Sequence, residues 1–404
     1  MKLSEELQWR GFVNQTTFKD LAELDGAPIS FYFGVDPSAS SMQIGNLAAA
    51  MMVRHFIDHG HKAFLLVGGA TGMIGDPDGK KDERSLKTLE EIAQNKAGIA
   101  AQYERVFDGK PFTIVDNYDW FKDINYLDFL RGVGKHVPMS QMLGRDFIKA
   151  RLGEDGAGIS YAEFSYSLIQ GYDFLHLYRE HGVTLQVCGA DQWGNSITGV
   201  DLIRRIEAAE AHVYSTPLVI NKATGIKFGK SEGGAIWLDP NATSVYKFYQ
   251  FWLNTDDEGV IDYVKIYTLL SKEEIETLDT QQRAASGKRI AQKRLADEVT
   301  LLVHGKERLD SVRRVTGVLF GETEVSDLND DDLDALGVEI PCVDAGLMAI
   351  DALVAGGVAS SNGEARRLIA GGAVSINGIK ITQDMTIDKL ALVKKGKNSF
   401  ILVR

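Results

Sequence analysis

The chain has 404 residues, of which 44% are hydrophobic and 25% are charged, so it is neither disordered nor a small disulfide-rich scaffold. Its two cysteines and its lack of a long apolar run predict a cytoplasmic protein of two or three modules without a membrane segment. The net charge of −12 argues mildly against a chain that is coated with nucleic acid.

The first part of the chain predicts alternating strands and helices. Residues 29–33 are β-branched and aromatic and predict a strand, and the continuous apolar run 63–67 predicts a second strand that is covered on both faces, with a helix over 47–52 between them. Residues 184–188 predict a later strand of the same sheet. This order is typical of a doubly wound α/β fold, and the strongly helical region of about 86–180 is then expected as an insertion.

Two loops follow the predicted strands, where ligands of open parallel sheets bind. The first leads to Gln43-Ile44-Gly45-Asn46 at a helix start, which suits phosphate, although such a glycine is usually only a tight turn. The second loop, residues 68–77, holds four glycines and ends in Asp76-Pro77. We interpret it as backbone that approaches a ligand closely, with a flexible connection as the alternative.

A polar stripe marks the helix predicted over 162–178. Tyr166, Gln170 and Asp173 are spaced i, i+4 and i+7, so they share one helix face. A hydroxyl, an amide and a carboxylate on one face suit a polar pocket. The solvated side of an amphipathic helix explains the same pattern at least as well.

Two further motifs carry charge. Asp191, in Asp-Gln-Trp-Gly-Asn, follows a predicted strand and is placed to hold ribose hydroxyls, although helix capping is the common use of such an Asp. Lys227 and Lys230 flank Phe228-Gly229 and suit a polyphosphate, whereas a lone motif of this kind is more often a surface lysine pair. The eight histidines show no metal-ligand spacing, so no protein-bound metal is predicted.

The charge is unevenly distributed along the chain. Residues 281–320 carry nine bases and four acids, and residues 346–404 carry eight bases and four acids, which gives net charges of +5 and +4. Residues 321–340 carry eight acids and no base. We therefore predict an acidic linker over 321–345 between a main body and a small C-terminal domain.

Taken in order, these motifs resemble those of class I aminoacyl-tRNA synthetases, and of the bacterial tyrosyl-tRNA synthetases in particular. The resemblance covers essentially the whole chain. It is carried by five motifs, which are Tyr32-x-Gly34-x-Asp36-Pro37, the glycine loop 68–77, Phe164-Ser165-Tyr166 through Asp173, Asp191 through Asn195, and Lys227 through Ser231. The tail, from Ser361-Asn362-Gly363-Glu364 to Gly378, is similar to S4-type RNA-binding modules.

The resemblance implies an α/β fold with a Rossmann-like parallel sheet and a helical insertion, followed by an α-helical anticodon-binding region and a small α+β S4-like domain. The implied boundaries are 1–220 for the catalytic domain, 221–320 for the lysine loop and the anticodon region, 321–345 for the linker and 346–404 for the S4-like domain. The implied activity joins tyrosine to its tRNA with ATP as a substrate, accompanied by Mg²⁺. The implied partners are tyrosine, ATP, tyrosine tRNA and a second copy of the chain in a homodimer.

Site residues follow from the resemblance at matching positions. Those implied for tyrosine are Tyr32 and Asp173 at the phenol, Asp76, Tyr166 and Gln170 at the ammonium group, and Gln192 near the carboxylate. Those implied for ATP are Asp36, Gly45 and Asn46, with Gly189 and Asp191 at the ribose and Lys230 at the phosphates. Those implied for pyrophosphate transfer are Lys227, Lys230, Lys80, Arg84, Ser38 and Gln43. Arg366 and Arg367 of the tail are implied for RNA.

One departure from the family pattern stands out. Gln43 and Asn46 replace the two histidines of the family's His-Ile-Gly-His motif. An Asn amide donates much as an imidazole does, but a neutral Gln amide at position 43 predicts slower activation.

Two alternatives stay open, namely a paralogue that binds RNA without charging tRNA and a related enzyme that activates tryptophan. The pairing of Tyr32 with Asp173 favours a phenol over an indole.

Overall fold

The structure, a computed structural model, describes residues 1–77, 87–144, 146–153, 158–231, 234–396 and 399–404, and omits the side chains of residues 141, 146, 147, 150, 230 and 231. The chain divides into two compact units. The first unit comprises residues 1–243 and 253–303, and the second comprises residues 244–252 and 304–404.

The described helices and strands follow in chain order. Up to residue 243 they are α1 (Leu3–Arg10), β1 (Gln15–Thr16), β2 (Ser30–Val35), α2 (Ile44–Asp58), β3 (Lys62–Val67), α3 (Gly69–Ile74), α4 (Leu89–Val106), β4 (Phe112–Val115), α5 (Tyr118–Phe121), α6 (Tyr126–Gly132), α7 (Met139–Leu143), α8 (Asp146–Leu152), α9 (Tyr161–His181), β5 (Leu185–Gly189), α10 (Trp193–Glu207), β6 (His212–Thr216), β7 (Lys230–Ser231) and β8 (Gly234–Ala235). Beyond it they are α11 (Val245–Leu253), α12 (Val260–Tyr267), α13 (Lys272–Ala284), α14 (Ile290–Phe320), α15 (Asp330–Glu339), β9 (Cys342–Val343), β10 (Leu347–Met348), α16 (Ala349–Ala355), α17 (Asn362–Ala370), β11 (Val374–Ile376), β12 (Ile379–Ile381), β13 (Thr386–Ile387), β14 (Ala391–Lys395) and β15 (Ser399–Val403).

The main sheet of the first unit has the strand order β1-β6-β5-β2-β3-β4. The strands from β6 to β4 run parallel, and the short edge strand β1 pairs antiparallel with β6. β2 lies in the middle of the sheet, where Tyr32 pairs with Phe64 on one side and Gln186 on the other. The carboxyl ends of β2, β3 and β5 therefore meet at one edge of the sheet, as the sequence predicts for a ligand site.

Helices α9 and α10 cross closely enough that glycine is required where they touch. A Cβ atom at Gly171 would lie 2.9 Å from Cγ2 of Thr198, and one at Gly199 would lie 2.8 Å from Cβ of Phe174. This crossing holds the polar stripe of α9 against the sheet, because Phe174 packs in one buried cluster with Tyr32 and Leu66.

The region 86–180 differs from the predicted helical insertion in one respect. Its segment Phe112–Val115 forms β4, which pairs with β3 and completes the edge of the main sheet. A strand of four residues between long helical stretches leaves too short a pattern for alternation to reveal it. The loop after β4 consequently reaches the site edge of the sheet.

The second unit packs helices on both faces of a small sheet with the order β12-β11-β14-β15-β9. On one face, α16 and α17 supply Leu353, Ala365 and Ile369 to a buried cluster with Val393 and Ile401. On the other face, α14 and α15 pack against the strands in a second cluster.

The acidic segment predicted as a linker is a packed part of this second unit. Leu333 and Leu336 of α15 are buried against Leu392 and Leu402 of the sheet, and Asp332 is paired with Arg314 by bonds of 2.6 and 2.9 Å. The strand β9, residues 342–343, pairs with β15, so the sheet also begins before the predicted boundary at 346. The prediction of a spacer was therefore wrong. It considered only the number of acidic residues and overlooked Leu333 and Leu336, whose spacing of three is typical of the buried face of a helix.

The division between the units falls inside α14. Gly305 breaks the helical backbone there with φ 82° and ψ 172°, one residue after the second unit resumes at residue 304.

Among the described residues, none of the helices combines the length and apolarity that crossing a membrane requires.

Candidate active site

The candidate site lies where β2, β3 and β5 end in the first unit. Asp36 follows β2, Gly68 and the short helix α3 follow β3, and Asp191 follows β5. Each of these positions was predicted from the order of motifs, and the parallel pairing of the strands brings them to one edge.

Tyr32 and Asp173 form a buried polar pair at this edge. Their side chains are 1% and 2% exposed, and the Tyr32 hydroxyl has no hydrogen-bond partner among the described residues. Burial, reinforced by the charge of Asp173, raises the pKa of Tyr32 well above its usual value. Burial likewise raises the pKa of Asp173, even though two donors bond to its carboxyl group.

Those two donors are Asn117 and Trp120. Asn117 Nδ2 donates to Asp173 Oδ2 at 3.1 Å, and Trp120 Nε1 donates to Asp173 Oδ1 at 3.0 Å. Asn117 also donates to Thr71 Oγ1 at 3.1 Å and accepts from the backbone N–H of Ala70 at 2.7 Å. Ala70 and Thr71 belong to α3, so most of the glycine-rich segment predicted as a loop over 68–77 is a short helix. One fully buried amide therefore links α3 to the pocket carboxylate.

Asp36 joins the glycine loop to the polar stripe of α9. The Tyr166 hydroxyl donates to Asp36 Oδ2 at 2.7 Å, and Thr71 Oγ1 donates to Asp36 Oδ1 at 2.6 Å. Burial and then the charge of Asp36 raise the pKa of Tyr166 well above its usual value, so this phenol stays a neutral donor. Asp36, implied for ATP, thus lies directly against Tyr166, implied for the ammonium group.

A second chain of hydrogen bonds connects Asp76, after α3, to Gln192 and Asn195, after β5. Gln192 Nε2 donates to Asp76 Oδ2 at 2.6 Å, and Gln192 Oε1 accepts from Asn195 Nδ2 at 3.2 Å. The Oε1 atom of Gln170 is buried without a hydrogen-bond partner among the described residues. The structure therefore places an unsatisfied acceptor on the same helix face as Tyr166 and Asp173, as the i, i+4, i+7 spacing predicts.

Gly189 and Asp191 lie together after β5. Asp191 Oδ1 lies 2.6 Å from where a Cβ atom at position 189 would stand, so a side chain there would displace the carboxylate. Asp191 itself is exposed. An exposed carboxylate beside a residue without a side chain suits the hydroxyl groups of a sugar, and the role of Asp191 at the ribose stays a prediction.

Backbone hydrogen bonds join the start of α2 to the lysine loop through residues 236–238. The N–H of Ile236 donates to the carbonyl of Gly229 in the lysine loop at 3.0 Å. The N–H of Ile44 donates to the carbonyl of Ile236 at 3.2 Å, and the N–H of Leu238 donates to the carbonyl of Met42 at 2.9 Å. Cε of Lys227 lies 4.0 Å from where a Cβ atom of Gly45 would stand. The start of α2 and the lysine loop, residues 227–231, therefore form one continuous surface.

The two residues that replace the family histidines interact at the start of α2. The backbone N–H of Gln43 donates to Asn46 Oδ1 at 3.0 Å, so the Asn46 side chain closes the first turn of the helix. Ser38 is exposed, and its N–H donates to the carbonyl of Asp36 at 2.7 Å. Lys80, Arg84 and the side chain of Lys230 lie outside the described part of the chain.

Arg366 and Arg367 belong to the second unit. Both lie exposed on α17, whose first turn is capped by Ser361 accepting from the N–H of Glu364 at 3.3 Å. Their implied role in RNA binding stays a prediction.

Sequence reasoning missed Asn117, Trp120 and Thr71. The first two follow β4, the strand that the sequence did not reveal, so their approach to Asp173 was hidden with it. Thr71 lies within the predicted glycine loop, but its partner Asp36 is 35 positions away in the chain. The available signal was the Asp116-Asn117 pair directly after the apolar stretch that ends at Val115.

Comparison with known proteins gives a consistent result along the whole chain. The model of a family described as "tRNA synthetases class I (W and Y)" matches residues 24–321. A second family, described as "Tyrosine--tRNA ligase SYY-like C-terminal domain", matches residues 337–404.

Individual relatives point to the same group. Proteins named Tyrosine--tRNA ligase from Flavobacterium psychrophilum and Limosilactobacillus reuteri are 40% and 42% identical to this chain, with 99% and 100% of each chain covered. Among solved structures, a C-terminally truncated mitochondrial tyrosyl-tRNA synthetase from Aspergillus nidulans has a TM-score of 0.69 and 30% identity. That match covers 77% of this chain and 92% of the other.

Fold and site together therefore define a class I aminoacyl-tRNA synthetase, and the predicted fold class is confirmed. Within that class, this chain belongs to the bacterial tyrosyl-tRNA synthetase family.

Proposed function

We propose that this chain is a tyrosine–tRNA ligase that works in two steps. In the first step, an oxygen of the tyrosine carboxylate attacks the α-phosphorus of ATP. The new carboxyl–phosphorus bond forms tyrosyl-adenylate, the bond to the β-phosphate breaks, and pyrophosphate leaves. In the second step, the tyrosyl group passes to the 3′ end of tyrosine tRNA and AMP leaves.

The observation that carries this proposal is the buried pair of Tyr32 and Asp173. A phenol hydroxyl placed between them would accept from one group and donate to the other, which would satisfy the Tyr32 hydroxyl. Phenylalanine would leave the buried Tyr32 hydroxyl without a hydrogen-bond partner and would give Asp173 no further donor, and such unpaired polar groups are the established basis of discrimination in tyrosyl-tRNA synthetases. An indole does not offer a hydroxyl at this depth, so the tryptophan alternative is disfavoured.

The chain needs no nucleophilic side chain for the first step, because the substrate carboxylate is itself the nucleophile. Cys188, near the end of β5, is buried, and burial raises the pKa of its thiol to about 12. Rate enhancement then comes from positioning and from cations on the departing phosphates.

The remaining groups divide between the two substrates. Asp76, Tyr166 and Gln170 would hold the ammonium group of tyrosine, and Gln192 would lie near its carboxylate. Asp36, Gly45, Asn46, Gly189 and Asp191 would position ATP. Lys227, Lys230, Lys80, Arg84, Ser38 and Gln43 would face the pyrophosphate, together with the Mg²⁺ that accompanies ATP.

The proposed partners are tyrosine tRNA and a second copy of the chain, in the cytoplasm. Basic residues such as Arg366 and Arg367 would meet RNA phosphates. The helical region α6–α9 exposes apolar side chains that suit a homodimer interface, including Tyr126, Leu127 and Tyr161 at 58%, 70% and 63% exposure.

Aminoacylation with the full chain tests this proposal. Purified protein, ATP, Mg²⁺ and bacterial tRNA are incubated with labelled tyrosine or labelled tryptophan, and acid-precipitable label is counted. We expect charging with tyrosine only. Charging with tryptophan, or RNA binding without any charging, would replace this proposal with one of the two alternatives.

A further inference from the structure

The lysine loop is held from outside the site by an aromatic stack. The ring of Phe228, between Lys227 and Gly229, lies on the ring of Tyr263 from α12, with centroids 4.2 Å apart and planes 22° apart. Tyr267, one helical turn later, lies against the same ring at 5.9 Å. Tyr263 and Phe228 are 1% and 5% exposed, so separating the two rings would expose buried aromatic surface to water, which is unfavourable.

Tyr263 is itself fixed on its other sides. A Cβ atom at Gly259 would lie 2.6 Å from the hydroxyl end of the Tyr263 ring, so the Gly259 backbone packs directly against it. The Tyr263 hydroxyl donates to Asp256 Oδ2 at 3.1 Å, while the N–H of Gly259 donates to Asp256 Oδ1 at 2.6 Å. Burial, and then the charge of Asp256, raises the pKa of Tyr263, so the phenol remains a donor.

The opposite side of the lysine loop rests on the start of α2. Gly229 has φ +100°, and a Cβ atom there would lie 3.3 Å from Cβ of Ile44. The loop backbone is therefore clamped between α12, through Phe228, and the phosphate-facing helix start, through Gly229. The exposed ion pair of Lys222 and Asp262 also links the segment just before the lysine loop to α12, but a surface ion pair contributes little.

We propose that Tyr263 is a positioning residue for tyrosine activation, acting through Phe228 on the backbone that carries Lys227 and Lys230. The inference rests on the proposed function, in which these lysines face the departing pyrophosphate. Since that step has no protein nucleophile, its rate depends on where the cations stand. A displacement of the loop should therefore slow the step without weakening the tyrosine pocket.

The test measures tyrosyl-adenylate formation in a single turnover at saturating tyrosine and ATP, with the full chain. Tyr263→Leu should lower this rate about tenfold or more, because small misplacements near the reacting groups have large effects. The dissociation constant for tyrosine should stay unchanged. Tyr263→Phe keeps the stacked ring and should retain the rate within about twofold, since it removes only one hydrogen bond.

Two further variants test the route through Phe228. Gly259→Ala introduces a methyl group against the Tyr263 ring at φ −96°, a conformation that alanine adopts freely, and should slow the step in the same direction. Phe228→Leu should slow the step as much as Tyr263→Leu does, and the double variant should be no slower than either single one.

Tyr214→Leu is the matched control for the removal of a buried tyrosine. Tyr214 is fully buried and packs edge-on against Phe56 at 5.5 Å. Phe56 lies roughly 18 Å along α2 from its phosphate-facing start, at 1.5 Å per residue. Tyr214→Leu should lower the melting temperature while leaving the rate of adenylate formation unchanged.

The proposed function and the positioning role of Tyr263 fail on different results. Wild-type protein that forms no tyrosyl-adenylate would overturn the proposed function. Active wild type with an unchanged rate in folded Tyr263→Leu would overturn the positioning role of Tyr263. A parallel weakening of tyrosine binding in that variant would do the same, because it would indicate general damage to the fold.

Discussion

At the residue scale, the pocket holds a carboxyl group away from water, where its charged form is destabilised. Asp173 is almost fully buried, and burial raises its pKa despite the donors Asn117 and Trp120. The Tyr32 hydroxyl beside it is unsatisfied among the described residues. A buried polar group without a hydrogen-bond partner is stabilised when a ligand hydroxyl pairs with it. A ligand without that hydroxyl gives no such stabilisation, so the site discriminates between the two ligands.

The replacement of the family histidine at position 43 leads to a prediction. Gln43 precedes α2, beside the surface shared by Gly45 and Lys227, but its neutral amide brings no positive charge to the phosphates. We expect Gln43→His to raise the rate of tyrosine activation several-fold, about 1 kcal/mol in transition-state stabilisation. Stopped-flow measurement of adenylate formation checks this, with Gln43→Ala as the control for removal of the amide. An unchanged or lower rate in Gln43→His would refute the assigned role.

Much of the site at this scale was predictable, and the remainder had a physical reason to be hidden. Tyr166, Gln170 and Asp173 share a face because of helical periodicity, which a sequence displays directly. Asn117 and Trp120 reach Asp173 only because β4 joins the sheet, and the pairing of a four-residue strand is decided by tertiary packing. The Asp116-Asn117 pair marks a polar turn in the sequence, but only the fold shows that Asn117 and Trp120 reach Asp173.

At the element scale, the N-terminal helix α1 is tied to α2 and α12 through buried charge. Arg10 donates to the carbonyls of Lys265 and Leu270 at 2.8 Å each, which closes the carboxyl end of α12. Its Nε donates to Glu6, which lies 3.4 Å from Nδ1 of His55 on α2. The helix that supports Tyr263 is thus anchored by a cluster with titratable members.

That cluster predicts a pH dependence of stability. Burial, and then the charge of Arg10, lowers the pKa of His55 to about 3, and the nearby Glu6 only partly offsets this; His59 and Arg54 lower it further. The unfolded chain binds a proton at His55 below about pH 6.5, whereas the folded chain does not, so the stabilisation is complete above that pH and is lost as the pH falls. As the pH falls from 6 to 4, the titration of His55 should lower the free energy of unfolding by up to about 1.4 kcal/mol per pH unit.

Urea denaturation between pH 7 and 5 measures this dependence. His55→Phe keeps a ring beside Phe12, which packs against His55 at 5.7 Å, and removes the titration. The variant should show a flatter pH profile than the wild type. Equal slopes in both proteins would show that His55 does not titrate as described.

At the scale of the whole molecule, the charge pattern was only partly informative. Many cations of residues 281–320 are engaged within the chain: Arg283 with Asp279, Arg294 with Glu298 and Arg314 with Asp332. Net charge along a sequence does not reveal such pairs, because they depend on helix faces and on tertiary packing. The same limitation made the acidic segment look like a spacer, although α15 is a packed helix.

The exposed arginines of α17 give a prediction about RNA. Replacing Arg366 and Arg367 with alanine should weaken tRNA binding and reduce the slope of log affinity against log salt by about 1 for each phosphate that is no longer neutralised. Filter binding of tyrosine tRNA at several salt concentrations measures both effects. Arg105→Ala, an exposed arginine outside both basic segments, is the control and should leave the slope unchanged. Equal slopes in all three proteins would exclude α17 from the RNA surface.

The apolar surface of α6–α9 gives a prediction about assembly. Leu127→Asp places a charge in the proposed interface, where it would be desolvated without a partner. We expect sedimentation to give twice the chain mass of 44.4 kDa for the wild type and the single chain mass for the variant. Ile379→Asp, at a residue 73% exposed in the second unit, is the control and should remain dimeric. A monomeric wild type, or a dimeric Leu127→Asp, would contradict a homodimer interface at this surface.

The selection of tyrosine for activation is proposed to depend on the pocket formed by Tyr32 and Asp173. Its most direct measurement is the exchange of labelled pyrophosphate into ATP, compared for tyrosine, phenylalanine and tryptophan in the wild type and in Tyr32→Phe. We predict exchange that depends on tyrosine in the wild type. In Tyr32→Phe, the preference for tyrosine over phenylalanine should fall roughly 5- to 150-fold, the change expected for about 1–3 kcal/mol at one buried polar group. Exchange that is driven equally by phenylalanine or by tryptophan in the wild type, or an unaltered preference in Tyr32→Phe, would contradict the proposal.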